Sequence, residues 1–335
     1  MDAATLPYTG GMELRRLGNS GLTVSVIGLG TNNFGRPGTP TEVLDGVREV
    51  VDAALDSGIT FIDTADVYGK EKGLSETLLG QALGSRRDEV VVATKFGMDM
   101  GGVNGPDFGA RGSRRYIIEA AEASLTRLGT DYIDLYQYHT PDPLTPIDET
   151  LSALDHLITS GKVRYIGHSN MSGWQIADAA HVAQEIGTES FISAQNHFNL
   201  LDRRAQLEVL PACQHFGLGV LPYYPLANGL LTGKYTDGVA PDGSRLDVVK
   251  PQLMETTDFD QLKKFRAYAQ ERDLTELEVA FSFLLASSPV TSVIAGATRP
   301  DQIRANAQAA SWTPTEADLA ELDKIFPPAD KIALF

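Results

Sequence analysis

The chain has a single cysteine, Cys213, among 335 residues. No internal disulfide can form, and a reducing compartment, the cytoplasm, is the expected setting. Within the helical-looking stretch RAQLEVLPACQHF, Cys213 reads as a small buried hydrophobe rather than a nucleophile. Basic residues are also short: 28 Lys and Arg stand against 44 Asp and Glu, for a formal net charge of −16. A nucleic-acid partner needs a basic footprint that this balance does not supply. Any phosphate site must be local, built from a few cations against an adverse background. No apolar run reaches the length of a membrane span, so no membrane partner is expected. The opening MDAATLPYTGG has neither the basic region nor the apolar core of a secretory signal, and residues 1–11 read as a loose tail. Nothing resembling an interdomain linker interrupts the chain, which points to one domain over 1–335. Monomer is the default.

What is present has a rhythm. Apolar runs of about five residues alternate with amphipathic helical segments. Strands are expected near 25–30, 59–63, 90–95, 132–138, 163–168, 191–195, 218–223 and 292–296. The helices between them carry start and stop signals: a Thr41 cap, Ser113, Thr145-Pro146, a Ser172/Gln175 capping box, Asp202 and Pro300 as starts, with Gly58, Gly84, Gly129 and Gly161 as stops. A further helix is expected over 258–272. Eight such units predict an α/β fold of the (β/α)8 TIM-barrel type. An N-terminal β-hairpin turning at Asn19-Ser20-Gly21 precedes it. The competing open, doubly wound sheet usually carries G-x-G-x-x-G after its first strand. Here Gly28-Leu29-Gly30 runs into Thr31-Asn32-Asn33, and the third glycine is missing. Two long insertions, 97–112 and 226–257, follow strands. Both should form long loops over the C-terminal mouth, where barrel active sites sit.

The strand ends carry the chemistry. Strand two ends in Asp63, with Tyr68 just beyond; strand three ends in Lys95; strand four ends in His139. Ser169-Asn170, Gln195 and Tyr223 occupy the next three ends. In a barrel these side chains converge on one mouth. A tyrosine is a poor acid at neutral pH, with a reference pKa of about 10, and a nearby ammonium lowers that value. Lys95 is placed to be that ammonium, kept charged by Asp63, while His139 can orient a substrate oxygen. Together they would protonate a carbonyl oxygen as hydride reaches its carbon. A duller reading makes Lys95 and Asp63 a structural ion pair. His168 and His197 lack partners at metal-ligand spacing, so no metal site is expected. Asp66 reads as a loop hydrogen-bonder, and Trp174 and Trp312 as packing groups.

At these residues the sequence resembles the aldo-keto reductase family. FIDTADVYG, GLSETLLGQAL, TRLGTDYIDLYQYH, GKVRYIGHSN, PLANGLLTGKY and IAGATRPDQIRANA carry the likeness, which runs over about residues 12–325. It is nearest to the branch that includes bacterial reductases and potassium-channel β subunits. The resemblance implies a TIM barrel, NADP(H), and reduction of a small-molecule aldehyde or ketone to an alcohol. It makes Tyr68 the general acid, Lys95 and Asp63 its tuners and His139 the orienting group. Ser169, Asn170 and Gln195 match residues that bind the nicotinamide carboxamide, and Tyr223 matches the aromatic on which the ring stacks. The backbone at Gly30 and Thr31 matches the nicotinamide ribose site. Leu226, Gly229, Lys234 and Arg245 match a segment over the pyrophosphate. Thr298, Arg299, Gln302 and Asn306 match the adenosine end.

There are departures: many relatives have Lys-Ser where this chain has Gly296-Ala297, and Arg where it has Gln302. The channel-like branch also has Gln there, which keeps NADP favoured. An alternative is a channel β-like, cofactor-binding regulatory subunit with little turnover, but that group places Asn at the position of His139. A Schiff-base lyase using Lys95 is a third reading, disfavoured by Asp63. Phe34, Phe96, the two insertions and the C-terminal tail should set substrate specificity.

Overall fold

A computed structural model describes residues 6, 7, 11–236 and 238–329. Three antiparallel strands open it: β1 (Leu6–Pro7), β2 (Glu13–Arg16) and β3 (Thr23–Ser25). β2 and β3 pair around the expected turn, with Leu14 opposite Ser25 and Arg16 opposite Thr23. Ser20 fixes that turn by donating to Leu17 O at 2.7 Å and accepting from Leu22 N at 3.1 Å. Of the expected loose tail, Leu6–Pro7 pair with β2, and residues 1–5 and 8–10 lie outside the described residues.

Eight parallel strands follow: β4 (Ile27–Gly30), β5 (Phe61–Asp63), β6 (Val91–Phe96), β7 (Ile133–Tyr138), β8 (Val163–Ser169), β9 (Ser193–Gln195), β10 (Gly219–Val220) and β11 (Val293–Gly296). Each pairs with the next in the order β10-β9-β8-β7-β6-β5-β4-β11. The ring is closed between β10 and β11. Val220 N donates to Pro289 O at 3.0 Å, Thr291 N to Val220 O at 2.9 Å, and Ile294 N to Pro222 O at 3.1 Å. The expected (β/α)8 barrel is present.

Six helices return the chain from β4 through β9 in turn: α1 (Leu44–Asp56), α2 (Leu74–Leu83), α3 (Arg114–Leu128), α4 (Ile147–Thr159), α5 (Gly173–Ile186) and α6 (Val209–Phe216). After β10 come α7 (Arg245–Val248), α8 (Gln252–Thr256), α9 (Phe259–Gln270) and α10 (Glu276–Ala286). After β11 come α11 (Pro300–Gln308) and α12 (Glu316–Ile325). The hydrophobic core has two parts, as side chains alternate across the strands. Leu17, Val24, Phe61, Ala93, Leu135, Leu221 and Ile294 fill the barrel interior, so the hairpin plugs its N-terminal end. A larger shell joins strands to helices, with Val47, Val50, Val51 and Ala54 of α1 inward.

Several local expectations are corrected. Thr41 does not cap α1: its hydroxyl donates to Asn33 O at 3.0 Å, and Val43 is the N-cap. Asp202 starts no helix, since α6 begins at Val209 after a single tight turn at Arg204–Gln206. The 258–272 helix, capped by Asp258, is followed by a separate one, α10, started by a Thr275/Glu278 capping box. The Ser172/Gln175 box is present. Trp174 is no packing group, being 67% exposed at the start of α5, whereas Trp312 packs against the core. Phe34 and Phe96 do not line the mouth: both are fully buried, and Phe96 stacks on Tyr138 with centroids 5.0 Å apart. Cys213 is buried as expected.

The 97–112 insertion contains no helix or strand, and the 226–257 insertion holds α7 and α8. Among the described residues no helix is long and apolar enough to cross a membrane.

Candidate active site

Asp63 and Lys95 occupy adjacent strand ends, and both are buried. Lys95 Nζ lies 2.6 Å from Asp63 Oδ2 and donates to Thr64 O at 2.7 Å. The other carboxylate oxygen, Oδ1, accepts from Gln137 Nε2 of β7 at 3.0 Å and from Gln195 Nε2 of β9 at 2.8 Å. Taking an ion pair out of water is costly unless its remaining hydrogen-bonding positions are filled, and four strands combine to fill them. Burial works against the Lys95 charge, but Asp63 and then Tyr68 outweigh it. The ammonium pKa is raised and the group stays charged.

Tyr68 stands in the loop after β5, half-buried, with Lys95 Nζ 5.1 Å from its ring centroid. The sequence predicts an acidified phenol. The net direction here is upward: burial raises its pKa, and Asp63 adds to that, against the nearby charge of Lys95. Lys95 therefore limits a rise instead of producing a fall. The His139 ring meets the Tyr68 ring edge-on, 6.0 Å between centroids at 85°. Burial, helped by the Lys95 charge, pushes the imidazole pKa down to about 3, so His139 is neutral at ordinary pH. Its Nδ1 is buried without a partner. The four expected catalytic residues are thus brought together.

The expected cofactor residues border the same mouth. Ser169 Oγ donates to Gln195 O at 2.7 Å. Asn170, in the left-handed region at φ 60°, donates through Nδ2 to His139 O and to Ser169 Oγ, each at 3.0 Å. Tyr223 OH donates to Asn170 Oδ1 at 2.8 Å. The Tyr223 ring stacks on His197, 5.4 Å away and 7° from parallel. That leaves its opposite face as the platform for a second flat ring. Gly30 N–H and C=O belong to β4, and the Thr31 hydroxyl is occupied by Ser75 at 2.9 Å, so only backbone there can border a ribose. In the 226–257 insertion Gly229 has φ 100° and donates to Leu226 O at 2.7 Å, folding Lys234 back beside it. Arg245 Nε is buried and unpartnered.

At the start of α11, Gln302 Oε1 accepts from Thr298 N at 2.8 Å, Arg299 pairs with Asp301 at 3.1 Å, and Asn306 is buried. These groups fit a dinucleotide: an aromatic platform, an amide and hydroxyl cluster beside it, and cations further along.

Sequence reasoning missed Gln137 as a donor to Asp63 and gave His197, noted only as lacking metal partners, no role beneath Tyr223. Both had a signal. Gln137 lies two residues before His139, and His197 two after Gln195, so strand alternation aims each at the same face as its neighbour. Asp66 is the expected loop hydrogen-bonder: it accepts from Asn104 Nδ2 at 2.9 Å, and burial drives its pKa well upward. No cluster of His, Cys, Asp or Glu among the described residues could hold a metal.

Comparison with known proteins agrees with this geometry. The model of the "Aldo/keto reductase family" matches residues 26–326. The uncharacterized oxidoreductase YrpG of Bacillus subtilis is 38% identical, covering 94% of this chain and 96% of its own. The L-glyceraldehyde 3-phosphate reductase of Escherichia coli is 34% identical, over 94% and 92%. A probable voltage-gated potassium channel subunit beta of Arabidopsis thaliana is 35% identical, over 94% and 95%. Expected from its strand ends and built around a buried Asp63–Lys95 pair, this barrel belongs to the aldo/keto reductase family and is an oxidoreductase fold by kinship.

Proposed function

We propose that the protein reduces an aldehyde or ketone to an alcohol with NADPH, and that Tyr68 is the general acid. The observation that carries this reading is the position of Lys95, held by Asp63 with its ammonium 5.1 Å from the Tyr68 ring centroid, beside a neutral His139. A bound reduced nicotinamide supplies hydride to the carbonyl carbon. Tyr68 gives its phenolic proton to the carbonyl oxygen, and the Lys95 ammonium stabilises the phenolate left behind until solvent reprotonates it. His139, uncharged, donates a hydrogen bond to the same oxygen and fixes its direction without competing as an acid. Ser169 and Asn170 would hold the carboxamide, and Tyr223 the ring face. The 2′-phosphate of NADPH suits the start of α11, where Arg299 stands at the N-cap and Arg304 makes no ion pair among the described residues.

The test is oxidation of NADPH with 4-nitrobenzaldehyde, followed at the reduced nicotinamide absorbance. Turnover by the wild type that is lost in Tyr68→Phe is expected. Absence of turnover, or equal turnover in the variant, would remove the proposal. The likeness to the plant channel subunit favours one other reading, a cofactor-binding regulatory subunit. Co-purification with a channel and no turnover would establish it.

A further inference from the structure

Behind the Tyr223 ring lies a second flat ring with a partner on each nitrogen. His197 follows the end of β9 by two residues, and a single parallel bridge pairs it with Tyr223. The two rings are stacked, 5.4 Å between centroids and 7° from parallel. Tyr224 meets the imidazole edge-on, at 5.7 Å and 86°. Tyr223 is pinned at its far end as well, where its hydroxyl donates to Asn170 Oδ1. His197 Nδ1 lies 3.1 Å from Asp202 Oδ2, and Nε2 lies 3.1 Å from Nδ2 of the buried Asn199.

The Asn199 amide has one allowed orientation. Its Oδ1 accepts from Leu201 N at 2.9 Å and from Asp202 N at 2.8 Å, so the NH2 end faces His197. The same Nδ2 donates to Tyr224 O at 2.9 Å. An amide nitrogen donates and does not accept, so His197 Nε2 is the acceptor and carries no proton. The ring proton then sits on Nδ1, where Asp202 accepts it. A second proton would set two N–H groups against each other across 3.1 Å. Among the charged groups facing the ring, burial against protonation is joined by Arg204, from the segment after β9, and Lys250, from the 226–257 insertion. Asp202 opposes them, yet it is itself engaged by Arg204, whose Nη2 lies 2.5 Å from Oδ2 and Nε 2.9 Å from Oδ1. The net pKa shift of His197 is downward.

We propose that Asn199 and Asp202 lock His197 as the uncharged Nδ1–H tautomer, and that this ring is a neutral deck that positions Tyr223 and keeps positive charge from beneath a nicotinamide stacked on it. The deck's role rests on the cofactor reading given above; the lock does not. Hydride donation would leave positive charge on the ring over Tyr223, and a cation under Tyr223 would oppose it. An unconstrained histidine would supply that cation below about pH 6.5. The lock withholds it. His197, Asn199 and Asp202 act only through Tyr223, so they are positioning residues.

Side-chain nitrogen NMR of the full chain without cofactor reads the lock directly. The His197 signals are those lost in His197→Phe. Nδ1 should be protonated and Nε2 bare at every pH from about 5 to 8. Titration of that ring near its ordinary value, or a proton on Nε2, overturns the lock. Fluorescence titration with NADP+ and with NADPH reads the deck. His197→Phe keeps a flat neutral ring under Tyr223. It should leave the ratio of the two dissociation constants within about twofold of the wild type. His197→Arg lays a flat, permanent cation in the same place, and should weaken NADP+ relative to NADPH by about fivefold or more. Equal ratios in the two variants overturn the deck. If the wild type binds neither form, the cofactor reading falls and the deck falls with it, whereas the NMR result still decides the lock.

Discussion

Gln195 Nε2 donates to Asp63 Oδ1 at 2.8 Å across 132 positions of sequence. The bond commits the amine end of the Gln195 amide to the barrel's buried ion pair. Only its carbonyl oxygen is left to accept from a ligand, so in the proposed function a nicotinamide carboxamide would present an N–H to it. In that proposal, cofactor placement and the charge state of Lys95 share one side chain.

Asp63→Asn should be costly to the fold itself. It strands the Lys95 ammonium in a dry site, for which a loss of about 3–5 kcal/mol in unfolding free energy is expected from urea melts. Lys95→Met should cost less, because Gln137 and Gln195 still donate to Asp63. Equal stability of wild type and Asp63→Asn would show that the pair is not buried as described.

Tyr68→Phe should fold normally and bind NADPH within about twofold of the wild type, yet lose about 10²–10⁴ in kcat, the usual worth of a positioned acid. Fluorescence titration beside steady-state kinetics separates the two effects. A variant that lost binding and kept kcat would assign Tyr68 to the wrong step.

The pH profile of reduction should show no limb near 6.5. His139 titrates only near 3, so it is neutral throughout the range from about pH 5 to 8. An alkaline limb is expected above the ordinary tyrosine value, because the Tyr68 pKa is raised. A bell centred on histidine would contradict the neutral imidazole.

Stability, by contrast, should respond to mild acid. His139 and His168 both titrate near 3 in the fold and near 6.5 when unfolded. Between those values the unfolded chain binds more protons, so stability is full above 6.5 and falls as pH drops toward 3. The slope approaches about 1.4 kcal/mol per pH unit for each histidine. His168→Leu should flatten that slope by about half in urea melts run from pH 4 to about 7.

Arg127→Met should loosen the mouth from below. Arg127 pairs with the fully buried Glu76 at 2.6 Å and donates to Asn104 of the 97–112 insertion at 2.9 Å. A loss of about 3–5 kcal/mol is expected for the orphaned carboxylate. Faster proteolysis within 97–112 should accompany it, and unchanged cleavage there would sever the proposed link between α3 and the insertion.

The barrel was legible because its strands are buried on both faces, and continuous apolar runs mark such strands plainly. The four expected catalytic residues were legible because Asp63, Lys95 and His139 lie at or beside strand ends and Tyr68 follows one of those ends in a short loop. What was hidden depended on packing from afar. Thr41 looks like a cap, but Asn33 claims its hydroxyl. Phe34 and Phe96 look like mouth residues, but tertiary contacts absorb them. The direction of the Tyr68 shift turned on burial, which spacing alone does not weigh against a neighbouring ammonium.

The ring of strands is fastened at one place by a pair of residues, Gly219–Val220, whose partner side is supplied partly by the irregular run from Pro289 to Thr291. That seam has the fewest ladder bonds to break. Deuterium should enter the amides of Val220 and Thr291 before those of Leu135 or Ile166, and partial opening of the molecule under stress should begin by unzipping there.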